Sequence, residues 1–520
     1  MPRYPVLMND NTIRRRPPRL SKSRYTSFLA CPRLGYLRAF PARFDSYCTL
    51  TPERQALFDS GNRVGRLARN YWPGGLLIEA DHTRIPEALR RTREALALRR
   101  EVIYEAAVEH QGILVRVDIL RRLGNGTYEL TEVKSGTKVY EAKHVPDVAI
   151  QLYVLESSGL PVERANLMHL NPDYIHPGGS SHRPLDLFVP EDVTGQARAH
   201  IASTLPASLR SIALWLLRDD PPEATVRNSC HDCEYYDGYC RPRCCEFPVT
   251  EFGWARQTGP LLQEMGITDI LELRKDTLEY ARLVGAVRSS AYGPRVLRVV
   301  DSVLSGELRI EPELGEILDG LARPLHFLDF ESWNPALPVF AGTRPYQQLP
   351  FQWSDHCLLV DDVCDHAYHL ADGDQDPRFQ VAETLVSRFA QDDGAVIAHH
   401  AAFECACLNN LAARCPRLEL PLLDIASRLV DLEALVADNV YHPQFHGSFS
   451  LKAVFPALVP GESYQNLAVQ NGNAAALAFG ALRIMPDGAE KDRLRNEMVD
   501  YCDQDTWAMV QIYRTLRALV

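Results

Sequence analysis

The sequence predicts an α/β protein with at least two domains. Short runs rich in β-branched and apolar residues alternate with helical patterns in two stretches, residues 53–217 and 323–520. The 520 residues also exceed what one hydrophobic core usually holds, since single cores stop growing at roughly 250–300 residues. We therefore expect an N-terminal domain over 1–245, a helical connecting region over 246–322 and a C-terminal domain over 323–520.

Composition excludes several classes of protein. Hydrophobic residues make up 46% and charged residues 24%, which fits folded domains and not a disordered or fibrous chain. No apolar run approaches the roughly 18 residues of a membrane span, and the N-terminus lacks the apolar stretch of a secretion signal. Thirteen cysteines without such a signal predict reduced thiols or metal ligands, so we expect a cytoplasmic protein that does not enter the membrane.

One segment is strongly basic although the net charge is −11. Residues 11–44 contain no Asp or Glu. The positive charges at the start of this segment are Arg14, Arg15, Arg16, Arg19, Lys22 and Arg24. Two interpretations stay open, a solvated basic tail or a surface that guides the phosphates of a nucleic acid.

The positions of the expected elements follow from residue periodicity and from turn residues. The expected strands are residues 102–108, 113–121, 128–133, 164–170, 325–330 and 351–360. The expected helices nearest to the chemistry are residues 145–157, 190–217 and 497–519.

Acidic residues of the C-terminal domain have a spacing that suits divalent cations. Asp329 and Glu331 are two residues apart at the end of an apolar strand, so both point to one face. Glu404 falls near the first turn of a helix, and Tyr501 and Asp505 are one turn apart on the last helix. Phosphodiester hydrolysis with two metal ions needs such a carboxylate cluster, with Mg²⁺ or Mn²⁺ as the ions. Taken singly, each residue also fits an ion pair or a solvated helix face.

Together and in this order, the three motifs resemble the DnaQ-like exonuclease superfamily of the DEDD type, tyrosine subtype. The resemblance covers the C-terminal domain and implies a ribonuclease H-like mixed-sheet fold with 3′–5′ exonuclease activity. It also implies that Asp329, Glu331, Glu404 and Asp505 bind metal and that Tyr501 orients the attacking water.

The C-terminal domain departs from that pattern at one position. Glu404 stands where the superfamily ordinarily has Asp, and its extra methylene shifts the carboxylate, so we expect weaker activity or an altered metal preference. Residues 340–353 and 445–452 also look like an uncharacterised bacterial family that carries this exonuclease fold, a likeness that names no substrate.

A second acidic cluster is expected in the N-terminal domain. Asp118 falls on one predicted strand, and Glu132 and Lys134 end the next one, two residues apart and on one face. Asp118 and Glu132 would hold a divalent ion while Lys134 positions water and neutralises charge on the phosphate. An ordinary cross-strand salt bridge is the alternative.

With Glu105 upstream and Gln151 downstream, this cluster resembles the RecB-like PD-(D/E)xK nucleases. Such enzymes cut DNA in recombination, repair and CRISPR spacer acquisition, and the resemblance implies a restriction-endonuclease-like fold. Two features depart from the family pattern. Tyr153 follows Gln151 by two residues where the family has four, and residues 61–65 contain no histidine.

Cysteine spacing predicts a ligand set of its own. Cys230, Cys233 and Cys240 form a C-x2-C-x6-C pattern, and Cys31 stands alone far upstream. Four thiolates suit an iron-sulfur cluster or tetrahedral zinc. The one-plus-three layout resembles iron-sulfur nucleases of the AddB type, which implies a [4Fe-4S] cluster that staples the domain. A redox role and the use of Cys244 or Cys245 in place of Cys240 stay open.

These resemblances lead us to expect a metal-dependent nuclease that acts on DNA, with single-stranded ends favoured and a helicase or repair protein as partner. Three alternatives stay open. The chain trims RNA, or it is a catalytically degenerate nucleic-acid-binding platform, or it senses redox state through the cluster.

Overall fold

A computed structural model describes residues 18–80, 83–255, 257–373, 375–464 and 467–520. The chain divides into two compact units. Of the described residues, the first unit comprises those through Val226 together with Asp232–Pro242 and Pro335–Tyr346. The second comprises Arg227–His231, Arg243–Asn334 and Gln347–Val520. Both units are α/β, and each contains a mixed sheet.

The first unit is built on a seven-stranded mixed sheet. Its strands are β1 Leu20–Ser21, β2 Leu76–Leu77, β3 Val102–His110, β4 Ile113–Arg122, β5 Tyr128–Val133, β6 Val162–Leu170 and β7 Phe188–Asp192. They run in the order β2-β3-β4-β5-β6-β7, with β1 pairing with β4. Strands β3, β4 and β5 form an antiparallel meander, while β6 is parallel to β5.

Helices surround this sheet, and α6 is the most deeply buried among them. The helices of the first unit are α1 Lys22–Ala30, α2 Pro32–Ala39, α3 Pro41–Phe44, α4 Pro52–Ala68, α5 Ile85–Ala97, α6 Glu141–Ser157, α7 Pro184–Leu187, α8 Thr194–Ser203 and α9 Leu205–Leu216. Val148, Ile150 and Leu152 of α6 are fully buried, which places this helix against the sheet.

The predicted helix over 190–217 is wrong. Pro190 lies in the edge strand β7, and two helices, α8 and α9, follow it. Proline lacks a backbone N–H, so it is tolerated on the edge of a sheet. Pro206 is the second residue of α9, because proline fits the first turn of a helix and breaks a helix interior.

The second unit contains a five-stranded mixed sheet and a two-stranded ribbon. Its strands are β8 Arg309–Ile310, β9 Leu325–Trp333, β10 Leu349–Leu358, β11 Cys364–Leu370, β12 Ala395–Ala398, β13 Leu429–Asp431 and β14 Val440–Tyr441. The large sheet has the order β11-β10-β9-β12-β13, and β8 pairs with β14. Strands β9, β10 and β11 are antiparallel, whereas β12 and β13 run parallel to β9.

Helices cover both faces of this sheet. The helices of the second unit are α10 Thr258–Glu264, α11 Leu278–Val287, α12 Gly293–Ser305, α13 Leu314–Asp319, α14 Arg378–Phe389, α15 Ala401–Arg414, α16 Glu419–Ser427, α17 Leu432–Asn439, α18 Leu451–Leu458, α19 Gly472–Leu482 and α20 Ala489–Leu519. The alternation of side chains along β9 sends Leu328 and Phe330 into the core with α14, α15 and α16. Asp329 and Glu331 consequently point to the other face, on which α20 packs.

Residues 246–322 pack into the second unit. Phe252, Leu262, Val299 and Leu314 from this region share one hydrophobic core with Leu325 of β9. The region therefore contributes to the folding of the second unit. Among the described residues, no helix has the length and apolar character needed to cross a membrane.

Candidate active sites

Four residues from three neighbouring strands meet in the first unit. Glu105 of β3, Asp118 of β4, and Glu132 and Lys134 at the end of β5 line one cavity of about 390 Å³. The meander brings them together because β4 lies between β3 and β5. The backbone N–H of Val133 donates to Oδ2 of Asp118 at 2.7 Å, which fixes that carboxylate against the next strand.

Glu105 has an unusual backbone. Its φ of 57° lies in the left-handed region, which a residue with a Cβ rarely adopts. Oε1 of Glu105 lies 3.1 Å from Nη2 of Arg69, and Oε2 lies 3.6 Å from Nε of Arg116. Arg69 also lines the cavity. The strained backbone and the two arginines hold the Glu105 carboxylate at the cavity wall.

Glu132 is the centre of a hydrogen-bonded cluster. Nζ of Lys134 donates to Oε1 of Glu132 at 2.8 Å, and Nε2 of Gln151 donates to Oε2 at 2.9 Å. Nζ of Lys22 donates to both oxygens, at 3.0 and 2.8 Å. Lys22 was predicted as part of the basic segment, and the structure adds it to the cluster around Glu132.

The cluster contains one acid that the sequence prediction missed. The ammonium of Lys134 contacts the carboxylate of Asp147, which lies on α6 one turn before Gln151. Nε2 of Gln151 also donates to the carbonyl oxygen of Asp147 at 3.0 Å. The four-residue spacing of these two polar side chains within the largely apolar stretch 145–155 was the signal in the sequence.

The two principal carboxyl groups of this cluster differ in their affinity for protons. Burial and the charge of Glu132 raise the pKa of Asp118 to about 7. Burial opposes ionisation of Glu132 as well, but the ammoniums of Lys22 and Lys134 outweigh it and lower its pKa below the usual range. Near neutral pH the carboxyl pair of Asp118 and Glu132 is therefore partly protonated. A divalent cation bound by the two carboxylates can replace that proton.

The second unit has a denser cluster of acids. Asp329 and Glu331 on β9 and Asp505 on α20 have carboxylate oxygens that all lie within 4.8 Å of one another. Sγ of Cys502 lies 3.5 Å from Oδ2 of Asp329. Burial and the neighbouring carboxylates raise the pKa of Asp329 and of Glu331 well above the ordinary value. The donor set consists of oxygens that repel one another unless a cation lies between them, and it therefore fits Mg²⁺ or Mn²⁺.

Glu404 lies in the first turn of α15 and is 1% exposed. His400 precedes the helix with a φ of 66°, and this left-handed turn sets the direction in which α15 leaves β12. Oε2 of Glu404 is buried and has no hydrogen-bond partner among the described residues. Burial and the charge of Asp329 raise the pKa of Glu404 well above the ordinary value. An unsatisfied buried carboxylate beside Asp329 again fits a cation site.

Two aromatic residues and a lysine complete this site. Nζ of Lys452 lies 5.4 Å from the ring centroid of Tyr501 and 5.7 Å from that of Tyr464. The pKa of Asp505 is raised by burial, and the hydroxyls of Tyr464 and Tyr501 and the charge of Lys452 oppose that rise. The sequence prediction assigned a role to Tyr501 but none to Tyr464 or Lys452. Lys452 is the last residue of segment 445–452, for which the sequence indicated a family likeness but no chemical role.

The cysteines predicted as cluster ligands fall in separate segments. Cys31 joins α1 to α2, and Nη1 of Arg33 lies 3.7 Å from Sγ of Cys240. Cys233 packs against the core of the first unit. Cys230 belongs to Arg227–His231, which groups with the second unit.

The segment that holds Cys233 and Cys240 is anchored to the helices of the first unit. Nε of Arg38 and Nη1 of Arg54 donate to the carboxylate of Glu234 at 2.6 and 3.0 Å. A Cβ on Gly238 would overlap the carbonyl oxygen of Tyr47, so only glycine allows this close approach. The thiols of Cys31, Cys233 and Cys240 thus belong to the first unit, and thiolate donors suit iron-sulfur or zinc ligation.

The basic segment is described in part. Arg14, Arg15 and Arg16 lie outside the described residues. Nε of Arg19 lies 3.3 Å from Oε2 of Glu109, and Nη1 of Arg24 donates to the carbonyl oxygen of Arg19 at 2.8 Å.

Comparison with known proteins adds one match. Residues 326–450, about a quarter of the chain, match a family described as a domain of unknown function, DUF2779. The matched segment includes Asp329, Glu331 and Glu404 and ends before Tyr501 and Asp505. No curated protein matches the chain.

Proposed function

We propose that this chain is a metal-dependent nuclease with two separate centres that hydrolyse phosphodiester bonds in DNA. The observation that carries the proposal is the buried cluster of Asp329, Glu331, Glu404 and Asp505. The pKa of each of these four carboxyl groups is raised by burial, and three of them have oxygens within 4.8 Å of one another. Such a cluster is costly to fold unless a cation joins its members.

In this proposal the second unit has a ribonuclease H-like fold. The strand order β11-β10-β9-β12-β13, antiparallel through β9 and parallel from there, supports it, as does the position of the acids on the central strand β9. The first unit would have a restriction-endonuclease-like fold. Its meander with Asp118, Glu132 and Lys134 and the buried helix that carries Gln151 support that assignment.

Asp329, Glu331, Glu404 and Asp505 would hold Mg²⁺ or Mn²⁺, and these ions would supply an activated water and stabilise the leaving oxygen. Tyr501 has a hydroxyl beside Asp505 that keeps its proton, because burial and the neighbouring carboxylates raise its pKa. It can therefore donate a hydrogen bond and orient the attacking water.

In the first unit, Asp118 and Glu132 would hold a divalent ion. Lys134 keeps its charge, since the carboxylates of Glu132 and Asp147 overcome the effect of burial and raise its pKa. Its ammonium can therefore neutralise charge that develops on a phosphate in the cavity. Gln151 holds the carboxylate of Glu132 in place through its 2.9 Å hydrogen bond.

We further propose that the substrate is DNA with single-stranded ends, in repair, recombination or defence, and that the cysteines bind a [4Fe-4S] cluster as a structural staple. The thiols of Cys31, Cys233 and Cys240 in the first unit and the anchoring of their segment by Glu234 support the staple.

The test is digestion of end-labelled single-stranded DNA and of RNA of the same sequence, with anaerobically purified protein in Mg²⁺ and in Mn²⁺. Wild type is compared with Lys134→Ala, Asp329→Ala and the double variant. We expect each single variant to lose a distinct part of the digestion by about 100-fold or more and the double variant to be inactive.

Two substitutions of exposed residues serve as controls, Lys138→Ala in the first unit and Asp361→Ala in the second. Both should digest DNA as the wild type does. Binding of DNA without cleavage in either metal would sink the catalytic proposal and leave a binding platform. Faster digestion of RNA than of DNA would reject the proposed substrate and keep the catalytic centres.

A further inference from the structure

A third group of metal-ligating side chains lies in the second unit outside both proposed centres. His356 of β10 and His366 of β11 face each other directly in the antiparallel register. Their rings stack with centroids 4.2 Å apart. Asp503 approaches both from α20, and one ligand atom from each of the three residues lies within 4.8 Å of the other two.

The separations within this group already resemble those around a metal ion. Oδ1 of Asp503 lies 3.1 Å from Nε2 of His366 and 3.6 Å from Nε2 of His356. Two ligand atoms at zinc bond lengths of about 2.0–2.1 Å and at a tetrahedral angle are about 3.3 Å apart. Only small side-chain adjustments would then be needed to bind an ion.

Hydrogen bonding determines which nitrogen of His356 carries the proton. The hydroxyl of Thr506 donates to the carbonyl oxygens of Cys502 and Asp503, at 3.3 and 3.0 Å. Oγ1 of Thr506 also lies 2.8 Å from Nδ1 of His356 and 2.9 Å from Oγ of Ser354, so a hydroxyl whose one proton is used on a backbone carbonyl accepts from both. Nε2 of a neutral His356 therefore presents a lone pair to the carboxylate of Asp503. A lone pair that faces a carboxylate is repulsive unless a cation lies between them.

His356 is buried, and a neutral imidazole is the form in which histidine binds metals. The hydrogen bond from Nδ1 of His356 to Oγ1 of Thr506 holds that ring in position, as an outer partner of a metal-bound histidine does. Oγ of Ser354 lies 2.9 Å from Nε2 of His366, the nitrogen that also faces Asp503.

We propose that His356, His366 and Asp503 form a site for a transition-metal ion of the Zn²⁺ class, distinct from the carboxylate cluster. Two imidazoles and one carboxylate suit Zn²⁺, whereas Mg²⁺ prefers oxygen ligands alone. The ion would tie β10 and β11 to α20, the helix that carries Tyr501 and Asp505. Its role would be to hold that helix in register on the sheet.

The test measures zinc directly and does not depend on nuclease activity. The full-length protein is freed of loosely bound metal with a chelator and then titrated calorimetrically with Zn²⁺ in excess Mg²⁺, which occupies the oxygen-only sites. We expect His356→Gln and His366→Gln each to bind one fewer equivalent of Zn²⁺ than the wild type. His369→Gln is the matched control, because His369 lies on β11 like His366 but on the opposite face of the sheet. This variant should bind as many equivalents of Zn²⁺ as the wild type.

Equal zinc stoichiometry in all four proteins would overturn the proposal. Titration of the wild type with Co²⁺ gives a second reading that needs no variant. A tightly bound equivalent with visible ligand-field bands and no thiolate charge-transfer band supports a site of imidazole and carboxylate. If every tightly bound equivalent showed the thiolate band, the ion would belong to the cysteines and the inference would be wrong. A protein that binds zinc as expected but does not cleave DNA would contradict the nuclease proposal and support the zinc site.

Discussion

Single carboxyl groups in the second unit reduce the stability of the metal-free fold. Asp329, Glu331 and Glu404 are buried close together, and burial is the first cause of the raised pKa of each. The extra methylene of Glu404 does not keep it out of this group, since its pKa responds to the charge of Asp329. Burying these charges lowers the free energy of unfolding of the metal-free second unit, and a bound cation would offset that loss.

The raised pKa values predict that the stability of the metal-free second unit falls as pH rises, the opposite of what carboxylates with lowered pKa values give. An acid whose pKa is raised by folding keeps its proton where the unfolded chain has lost it, so stability falls as pH rises above the ordinary carboxyl pKa of about 4. In EDTA, the thermal stability of the second unit should therefore decrease from pH 5 to pH 8, and Mn²⁺ should remove most of that decrease. Differential scanning calorimetry at both pH values, with and without Mn²⁺, measures this change in melting temperature.

The variant Asp329→Asn tests the same idea at one residue. In EDTA at pH 8 we expect its free energy of unfolding to exceed that of the wild type by about 1 kcal/mol, with no further gain from Mn²⁺. Asp361→Asn, which changes an exposed acid, should behave as the wild type does. A variant that is less stable than the wild type in EDTA would contradict this account of the cluster.

At the scale of elements, the α1–α2 hairpin carries residues of two candidate sites of the first unit. Ser21 caps α1 by accepting from the backbone N–H of Arg24 at 3.3 Å, and Lys22 in the first turn reaches Glu132. Cys31 lies at the junction of the two helices. The close packing of α1 on α2 depends on Gly35, where a Cβ would overlap the ring of Phe28 and lie 2.7 Å from its Cα.

Gly35→Ala should therefore push the two helices apart. We expect the free energy of unfolding of the first unit to fall by about 1–3 kcal/mol, the usual cost of overpacking. Gly195→Ala in α8 is the control, because a Cβ there meets nothing within 4 Å. Chemical denaturation followed by circular dichroism compares the two. Equal stability of both variants would mean that the hairpin tolerates separation.

At the scale of the whole molecule, the two units contain different candidate ligand sets. The first contains Cys31, Cys233 and Cys240, and the second contains the carboxylate cluster and the histidine pair. A ligand set that joins distant segments stabilises the unit that supplies it, because the binding free energy is then part of the folding free energy.

Loss of one thiolate should therefore affect the two units unequally. Cys31→Ser should lose bound iron and the visible absorbance of the cluster, and limited proteolysis should then cut within residues 18–226. Cleavage of DNA that depends on Asp329 should persist. Cys405→Ser, in α15 of the second unit, should keep its iron. Full retention of iron by Cys31→Ser would remove this cysteine from the ligand set.

What the sequence determined by itself is the local part of this protein. A period of two along β9 places Asp329 and Glu331 on one face, and a spacing of four along α20 places Tyr501 above Asp505, because these relations depend only on the geometry of one element. Residues 128–133 form a strand with the predicted bounds, since glycine-containing turns lie on both sides of it, at 124–126 and at 136.

The tertiary structure alone decided which distant residues complete each cluster. Lys22 and Glu132 are 110 positions apart, and Asp503 and the histidine pair come from three different elements, so no local pattern records their contact. It also decided that residues 246–322 belong to the core of the second unit, because burial of apolar side chains is settled by what packs against them. Local periodicity shows which face of an element is apolar or acidic, and only packing brings two such faces together.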